Sequence, residues 1–335
     1  MGLRLGVYTA ILHDRPLPEA LDVVRDLGLD GAEINVGGFL PPVHMPTINE
    51  IETSTGAADD YLGLFAERGL TLAGLNCNGN PLHPDPEVRH ADDLRRAIRV
   101  AAALGQTRVV TMSGTPGNEP GSRLPAWSVL PWDSAYLDAR DHQWEVGVRF
   151  WRQIGALAAD HDVKVAIELH PHNLVYNART LERLVEQTGA THIGAELDPS
   201  HLFWQGMDPI AVIEHLGPLV FHAAAKDVRM NDLVRINGVL FDHFRRVPDE
   251  EGPLSLGGRY TLGEWPKDSS WDFVALGVGH DAAYWAAFLD ALAAVDPDMA
   301  VNIEHEDASY GRIEGLEVAA GVLLTAAGRS PVRAG

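Results

Sequence analysis

Residues 163–172 read VKVAIELHPH. The apolar part of this stretch has the pattern of a buried strand, yet it runs straight into Glu168, His170 and His172. A carboxylate and two imidazoles at the end of such a strand need partners, because an unpaired buried charge is costly. A second stretch, THIGAELDPSH at 191–201, repeats the plan: a short apolar run that finishes in Glu196, Asp198 and His201. Two strands ending in metal-type ligands point to one shared site.

Working outward, further strand-like runs lie at 3–9, 31–36, 70–76, 107–112, 219–224 and 299–304. Helix-period segments separate them, at 18–28, 58–69, 87–105, 141–160, 179–188, 209–216, 281–294 and 312–327. The first three end in Gly28, Gly69 and Gly105, the residue type that closes a helix in a left-handed conformation. Strict strand–helix alternation implies parallel strands with crossover helices. Eight such units predict a closed (β/α)8 TIM barrel spanning residues 1–328, with a short tail at 329–335. An open dinucleotide-binding sheet is disfavoured, since no GxGxxG follows the first strand.

Composition limits the function. The 335 residues are 46% apolar and carry 47 acidic against 26 basic side chains, a formal charge of -21. That balance excludes a nucleic-acid backbone or an anionic membrane as partner. With Cys77 as the single cysteine, an intrachain disulfide and a cysteine-based zinc site are excluded, and a reducing compartment is natural. The start, MGLRLGVYTAILHD, reads as a first strand rather than a leader, so a cytoplasmic protein is expected.

Two connections are long insertions, after strand 4 (113–140) and after strand 7 (225–280). They carry Trp127, Trp132, Trp265 and Trp271, and both leave the carboxyl ends of strands, where barrel active sites are built. They read as pocket walls whose aromatics, Trp127 among them, can stack on sugar faces. They serve equally as a subunit interface, and a homo-oligomer is expected.

Period-two alternation puts Glu168 with His170, Glu196 with Asp198, and Glu304 with Glu306 on common faces. Glu168, Asp198, His222 and Glu304 then stand at the ends of four consecutive strands, which a barrel gathers into one crescent. Three carboxylates and one imidazole form a hard site for a divalent metal ion, Mn²⁺ first, with Mg²⁺, Co²⁺ or Zn²⁺ as alternatives. Glu33 at the end of strand 2 serves either the pocket wall or the scaffold.

The set Glu168 in IELHP, Asp198-x-x-His201 in ELDPSH, His222 to Lys226-Asp227 in FHAAAKD, and Glu304 in IEHED resembles the xylose isomerase-like barrels. More narrowly it is similar to the sugar phosphate isomerase/epimerase group, with its ketose 3-epimerases and inosose dehydratases. GVGHDAAYWAAFLDAL before VNIEHED shares that likeness. The resemblance implies Glu168, Asp198, His222 and Glu304 as metal ligands, and His201 and His170 in contact with substrate or metal-bound water. It also implies an arginine after strand 7, for which Arg229 is the candidate. The SGTPG…PAWSVLPW insertion resembles the large subunits of enzymes that cleave 3-oxo C-glycosides with a small partner subunit.

A site of this kind polarises a carbonyl and the hydroxyl beside it, so that a base withdraws the intervening proton and an enediolate forms. Glu168 and Glu304 are the candidate bases, with His170 or His172 as alternatives. Lys226 either steadies oxyanion charge or pairs with Asp227 or a pocket carboxylate. No basic, glycine-rich phosphate loop is present, since the stretch after strand 8 is acidic, HEDASYG. The expected substrate is therefore a non-phosphorylated keto sugar, isomerised or epimerised. The alternative is a 3-oxo-glycoside that loses its aglycone or water.

Overall fold

Each apolar run becomes a strand within one residue of its expected ends. The structure, a computed structural model, describes residues 2–331. The barrel strands are β1 (Arg4–Tyr8), β2 (Gly31–Asn35), β3 (Thr71–Asn76), β4 (Arg108–Met112), β5 (Lys164–Glu168), β6 (Ile193–Leu197), β7 (Val220–Ala225) and β8 (Ala300–Ile303). Each pairs in parallel with its neighbours, and β1 closes the ring against β8. The main helices are α1 (Leu17–Asp26), α2 (Thr55–Ala66), α3 (His90–Ala103), α4 (Ser134–Asp160), α5 (Ala178–Thr188), α6 (Pro209–Leu216), α7 (Ala282–Val295) and α8 (Arg312–Ala326). The expected (β/α)8 barrel is therefore the observed fold.

Alternation sorts the side chains. Val165, Ile167, Val301 and Ile303 point outward into the main apolar core beneath the helices, with Trp151, Trp285 and Phe288 fully buried there. Burying one such large side chain contributes about 1.5–3 kcal/mol, which is why helices and sheet hold together. Inside the ring, Phe221, Val110 and Ala166 form a small separate plug. The interior is crowded, and small residues make its space: a Cβ on Gly6 would fall 2.3 Å from Asn302 Oδ1, and one on Gly194 would fall 2.7 Å from the Phe221 ring.

The insertions are more ordered than their composition suggests. Helix α4 begins seven residues before its expected start at 141, because Asp133 accepts from the amides of Ala135 and Tyr136 and caps it there. Residues 134–138 are solvent-exposed, so this first stretch carries no apolar stripe to read. The second insertion opens and closes with an antiparallel pair, Asp227–Met230 with Trp271–Val274. Behind it Trp204, Trp265, Trp271, Phe241 and Phe273 pack against one another.

At the far end of the chain Arg329 pairs with Asp30 at 2.7 Å. The rest of the expected tail, at 332–335, lies outside the described residues. No described helix is long and apolar enough to cross a membrane.

Candidate active site

Strand β6 runs into Asp198, whose Oδ1 accepts from the amide of Ser200 at 2.8 Å. It thereby caps the short helix Pro199–Trp204, with Pro199 in the first turn. A helical residue three places beyond its cap lies over it, and His201 does: its Nε2 is 3.4 Å from Asp198 Oδ2. The same Nε2 is 3.2 Å from Glu168 Oε1 at the end of β5. Neither approach has the direction of a hydrogen bond, and Asp198 Oδ2 and both His201 nitrogens have no hydrogen-bond partner. These atoms are almost sealed from solvent, Asp198 at 1% exposure and His201 at 3%.

The His170 ring lies 3.9 Å from that of His201. Ligand atoms of Glu168, His170 and His201 all fall within 4.8 Å of one another, a spacing that a metal ion can bridge. Burial lowers both imidazoles, His201 to about 4 and His170 to about 3. Both are thus neutral near pH 7 and present lone pairs. The unpartnered atoms of Asp198 and His201, converging with Glu168 and the neutral imidazole of His170, fit a divalent cation.

The other oxygen of Glu168, Oε2, accepts from Asn78 Nδ2 at 2.6 Å. Asn78 lies two residues past β3, and its only trace in the sequence is a polar pair, Asn76 and Asn78, after an otherwise apolar run.

A single lysine among carboxylates flanks this cradle. Lys226 Nζ lies 2.9 Å from Glu304, 3.0 Å from Glu306 and 3.8 Å from Asp198 Oδ2. Phe273 from the insertion covers it, 4.4 Å from the ammonium, and meets the His201 ring edge-on at 5.5 Å. Burial pulls Lys226 down, but Glu304 and the other surrounding carboxylates outweigh it and push it up. Burial pushes Glu304 well above the carboxylate range despite Lys226.

His222 lies elsewhere. Its Nε2 is 2.8 Å from Glu33 Oε2, inside the barrel, and Asn302 and Asn76 donate to the same carboxylate at 2.7 and 2.8 Å. The cause is the pleat: β7 turns His222, Ala224 and Lys226 inward in succession. The position above His222, paired with Asn302, is an alanine. The imidazole in the cradle comes from His201 instead.

Of the other expected residues, His172 and Trp127 form one wall, with rings stacked at 4.8 Å and Trp127 Nε1 donating to the Asn173 carbonyl at 3.0 Å. Arg229 is exposed on the outer hairpin, 3.4 Å from Asp272, and does not join the cluster.

A family model described as "Xylose isomerase-like TIM barrel" matches residues 21–325. An uncharacterized protein YfiH of Bacillus subtilis is 31% identical over 320 residues, 94% of this chain and 96% of its own length. Among solved structures, the probable 3-DHS dehydratase AsbF of Bacillus anthracis superimposes with a TM-score of 0.62 at 15% identity, covering 96% of this chain and 98% of its own. D-psicose 3-epimerase of Clostridium cellulolyticum, solved with D-tagatose, gives 0.60 at 14% identity over 99% of this chain and all of its own.

Proposed function

The chain belongs to the xylose isomerase-like TIM barrel family, and from that premise we propose that it is a divalent-cation-dependent sugar isomerase or epimerase. Its substrate is a non-phosphorylated keto sugar, and the reaction runs through an enediolate. The observation that carries this reading is the convergence of Glu168 Oε1, Asp198 Oδ2 and His201 Nε2, with Asp198 Oδ2 and His201 Nε2 lacking hydrogen-bond partners.

Glu168, Asp198 and His201 are the residues that would hold the cation, with His170 beside them and Glu304 on the opposite wall. Of the four ligands expected from the strand ends, His222 is engaged by Glu33, and His201 takes its place in this proposal. A bound Mn²⁺, Mg²⁺, Co²⁺ or Zn²⁺ supplies Lewis acidity toward a ketone and its neighbouring hydroxyl.

The protein's own groups do the rest. Asn78 pins one oxygen of Glu168 and leaves the other facing the cradle, so Glu168 can take the proton. His170 directs Nδ1 at the Pro171 carbonyl, which leaves a neutral Nε2 as a second base. Glu304, whose pKa burial raises, stands 2.9 Å from the Lys226 ammonium, and this pair can return a proton from the other side. Lys226 faces the same space with a fixed positive charge suited to a developing oxyanion. Trp127 and His172 offer stacked rings for a sugar face.

A second reading is favoured by Lys226. An ammonium held against Glu304 leaves one carboxylate, not two, free on opposite faces. It also places a proton source where a group could leave. Elimination of water or an aglycone from a 3-oxo-glycoside, with a small second subunit, suits that arrangement. The test is to incubate cation-loaded protein with ketoses and 3-oxo-glycosides in deuterated water. Proton NMR should show cation-dependent deuterium at the carbon beside the carbonyl. Inverted or isomerised sugar supports the first reading and released aglycone the second; no exchange with any member of the panel overturns both.

A further inference from the structure

Asp227 follows Lys226 in the KD pair, but its side chain points away from the site. It is fully buried. Its Oδ1 accepts from the amide of Val228 at 2.8 Å and from His280 Nδ1 at 2.7 Å. Its Oδ2 accepts from the amides of Gly277, Gly279 and His280 at 3.0, 3.1 and 2.9 Å. Five donors on one carboxylate satisfy it without a lysine or arginine, and four of them are backbone amides.

The loop can wrap so closely because of its glycines. A Cβ on Gly279 would meet the Val228 carbonyl oxygen at 2.1 Å, and Gly277 has φ +95°. This explains the GVGH stretch, which the chemistry of the site leaves unused.

The carboxylate thus joins the two ends of the second insertion. Residue 227 opens the hairpin, and residues 277–280 follow its return strand. Phe273 sits on that return strand, opposite Val228, and its ring covers both Lys226 and His201. His280 extends the connection: its ring stacks on Phe203 at 3.8 Å and 13°, and Phe203 belongs to the short helix that carries His201. The Trp285 indole donates to the His280 carbonyl at 3.1 Å and ties the loop to α7. On the β8 side, Asp307 accepts from the amide of Ala275 at 2.9 Å.

We propose that Asp227 and His280 are positioning residues that fasten the second insertion across the barrel mouth, acting through Phe273 on Lys226 and through Phe203 on His201. Neither touches the cradle or the substrate space. The inference rests on the proposed reaction for its kinetic consequence, but its structural content stands apart from it.

The test uses the full chain with Asp227→Asn, which keeps the shape but sets an amide against a ring of donors. His280→Ala keeps the carboxylate and its backbone donors but removes the imidazole and the stack. Deuterium uptake at amides 271–280 should quicken in both, while affinity for Mn²⁺ alone, by calorimetry, stays within about twofold. On a substrate identified by the exchange assay, kcat should fall by about tenfold or more, since misplacing site groups by about 1 Å can cost that much or beyond. KM should change less. Loss of Mn²⁺ affinity in step with kcat would make the pair part of the cradle and overturn the proposal. Unchanged uptake at 271–280 would overturn it as well. Should Asp227→Asn not fold, His280→Ala carries both readouts. Should no substrate turn over, uptake and Mn²⁺ affinity still decide it.

Discussion

Replacing Lys226 by methionine keeps most of the side chain's length and apolar stem but removes its charge. In the wild type that ammonium lies 2.9 Å from Glu304, 3.0 Å from Glu306 and 3.8 Å from Asp198 Oδ2. The pair with Glu306 counts for little, because that carboxylate is 47% exposed and water screens it. The pair with Glu304 is closed in, and breaking a buried pair by removing one partner costs about 3–5 kcal/mol. The folded-state shift of Lys226 is upward, so its contribution is fully present at neutral pH and lost only as pH rises through its folded pKa. In the variant the crowded carboxyls Glu304 and Asp198, already raised by burial, lose their compensating charge. Groups whose folded pKa is raised bind protons on folding, so the variant regains stability as pH falls. Urea titrations without divalent cation should therefore show a deficit of about 3–5 kcal/mol at pH 7.5 that shrinks by pH 5. A divalent cation at about a hundredfold its Kd adds about 2.7 kcal/mol. At one fixed cation concentration it should help the variant more than the wild type, because the competing ammonium is gone and the Kd is lower. A deficit below about 1 kcal/mol, or one independent of pH and cation, would refute the picture of an ammonium balancing buried carboxylates.

Asp198→Ala should lower Mn²⁺ affinity by about a hundredfold or more in calorimetry while far-UV circular dichroism stays that of the wild type; cation bound at full stoichiometry would count against its place in the cradle. His222→Ala leaves Glu33 with its two amide donors but no imidazole, and should cost about 1–3 kcal/mol in urea unfolding while changing Mn²⁺ affinity less than about fivefold. Gly6→Ala forces a Cβ to 2.3 Å from Asn302 Oδ1 and 2.7 Å from the Gly31 carbonyl, so a thermal melt should show marked destabilisation or no soluble protein; a wild-type Tm would contradict the tight interior.

What the sequence revealed and what it hid both follow from the barrel's geometry. All eight strands were legible because each is a short apolar run that ends in polar residues or glycine. Glu168 and Asp198 were legible as partners because each finishes its strand. His222 was harder to place. It also sits in an apolar run, but in the middle of β7, and the register between β6 and β7 slips at Ala195/Glu196. Counting along the chain cannot register such a slip, nor tell one inward layer from the next. His201 was read as a neighbour of the site, and the capped turn after Asp198 carries its ring into the centre. Arg229 is an arginine after strand 7, but it lies on a hairpin strand whose residues face solvent there, a detail that a loop-like sequence conceals. Asn78 gave almost no signal, since its importance lies in one contact across 90 residues of chain.

The most direct measurement is anomalous diffraction from a crystal of the protein soaked in Mn²⁺, recorded near the manganese edge. The account predicts one strong peak among Glu168, Asp198 and His201, with His222 still bonded to Glu33. A peak on His222 instead, or no peak between Asp198 and His201, would contradict it.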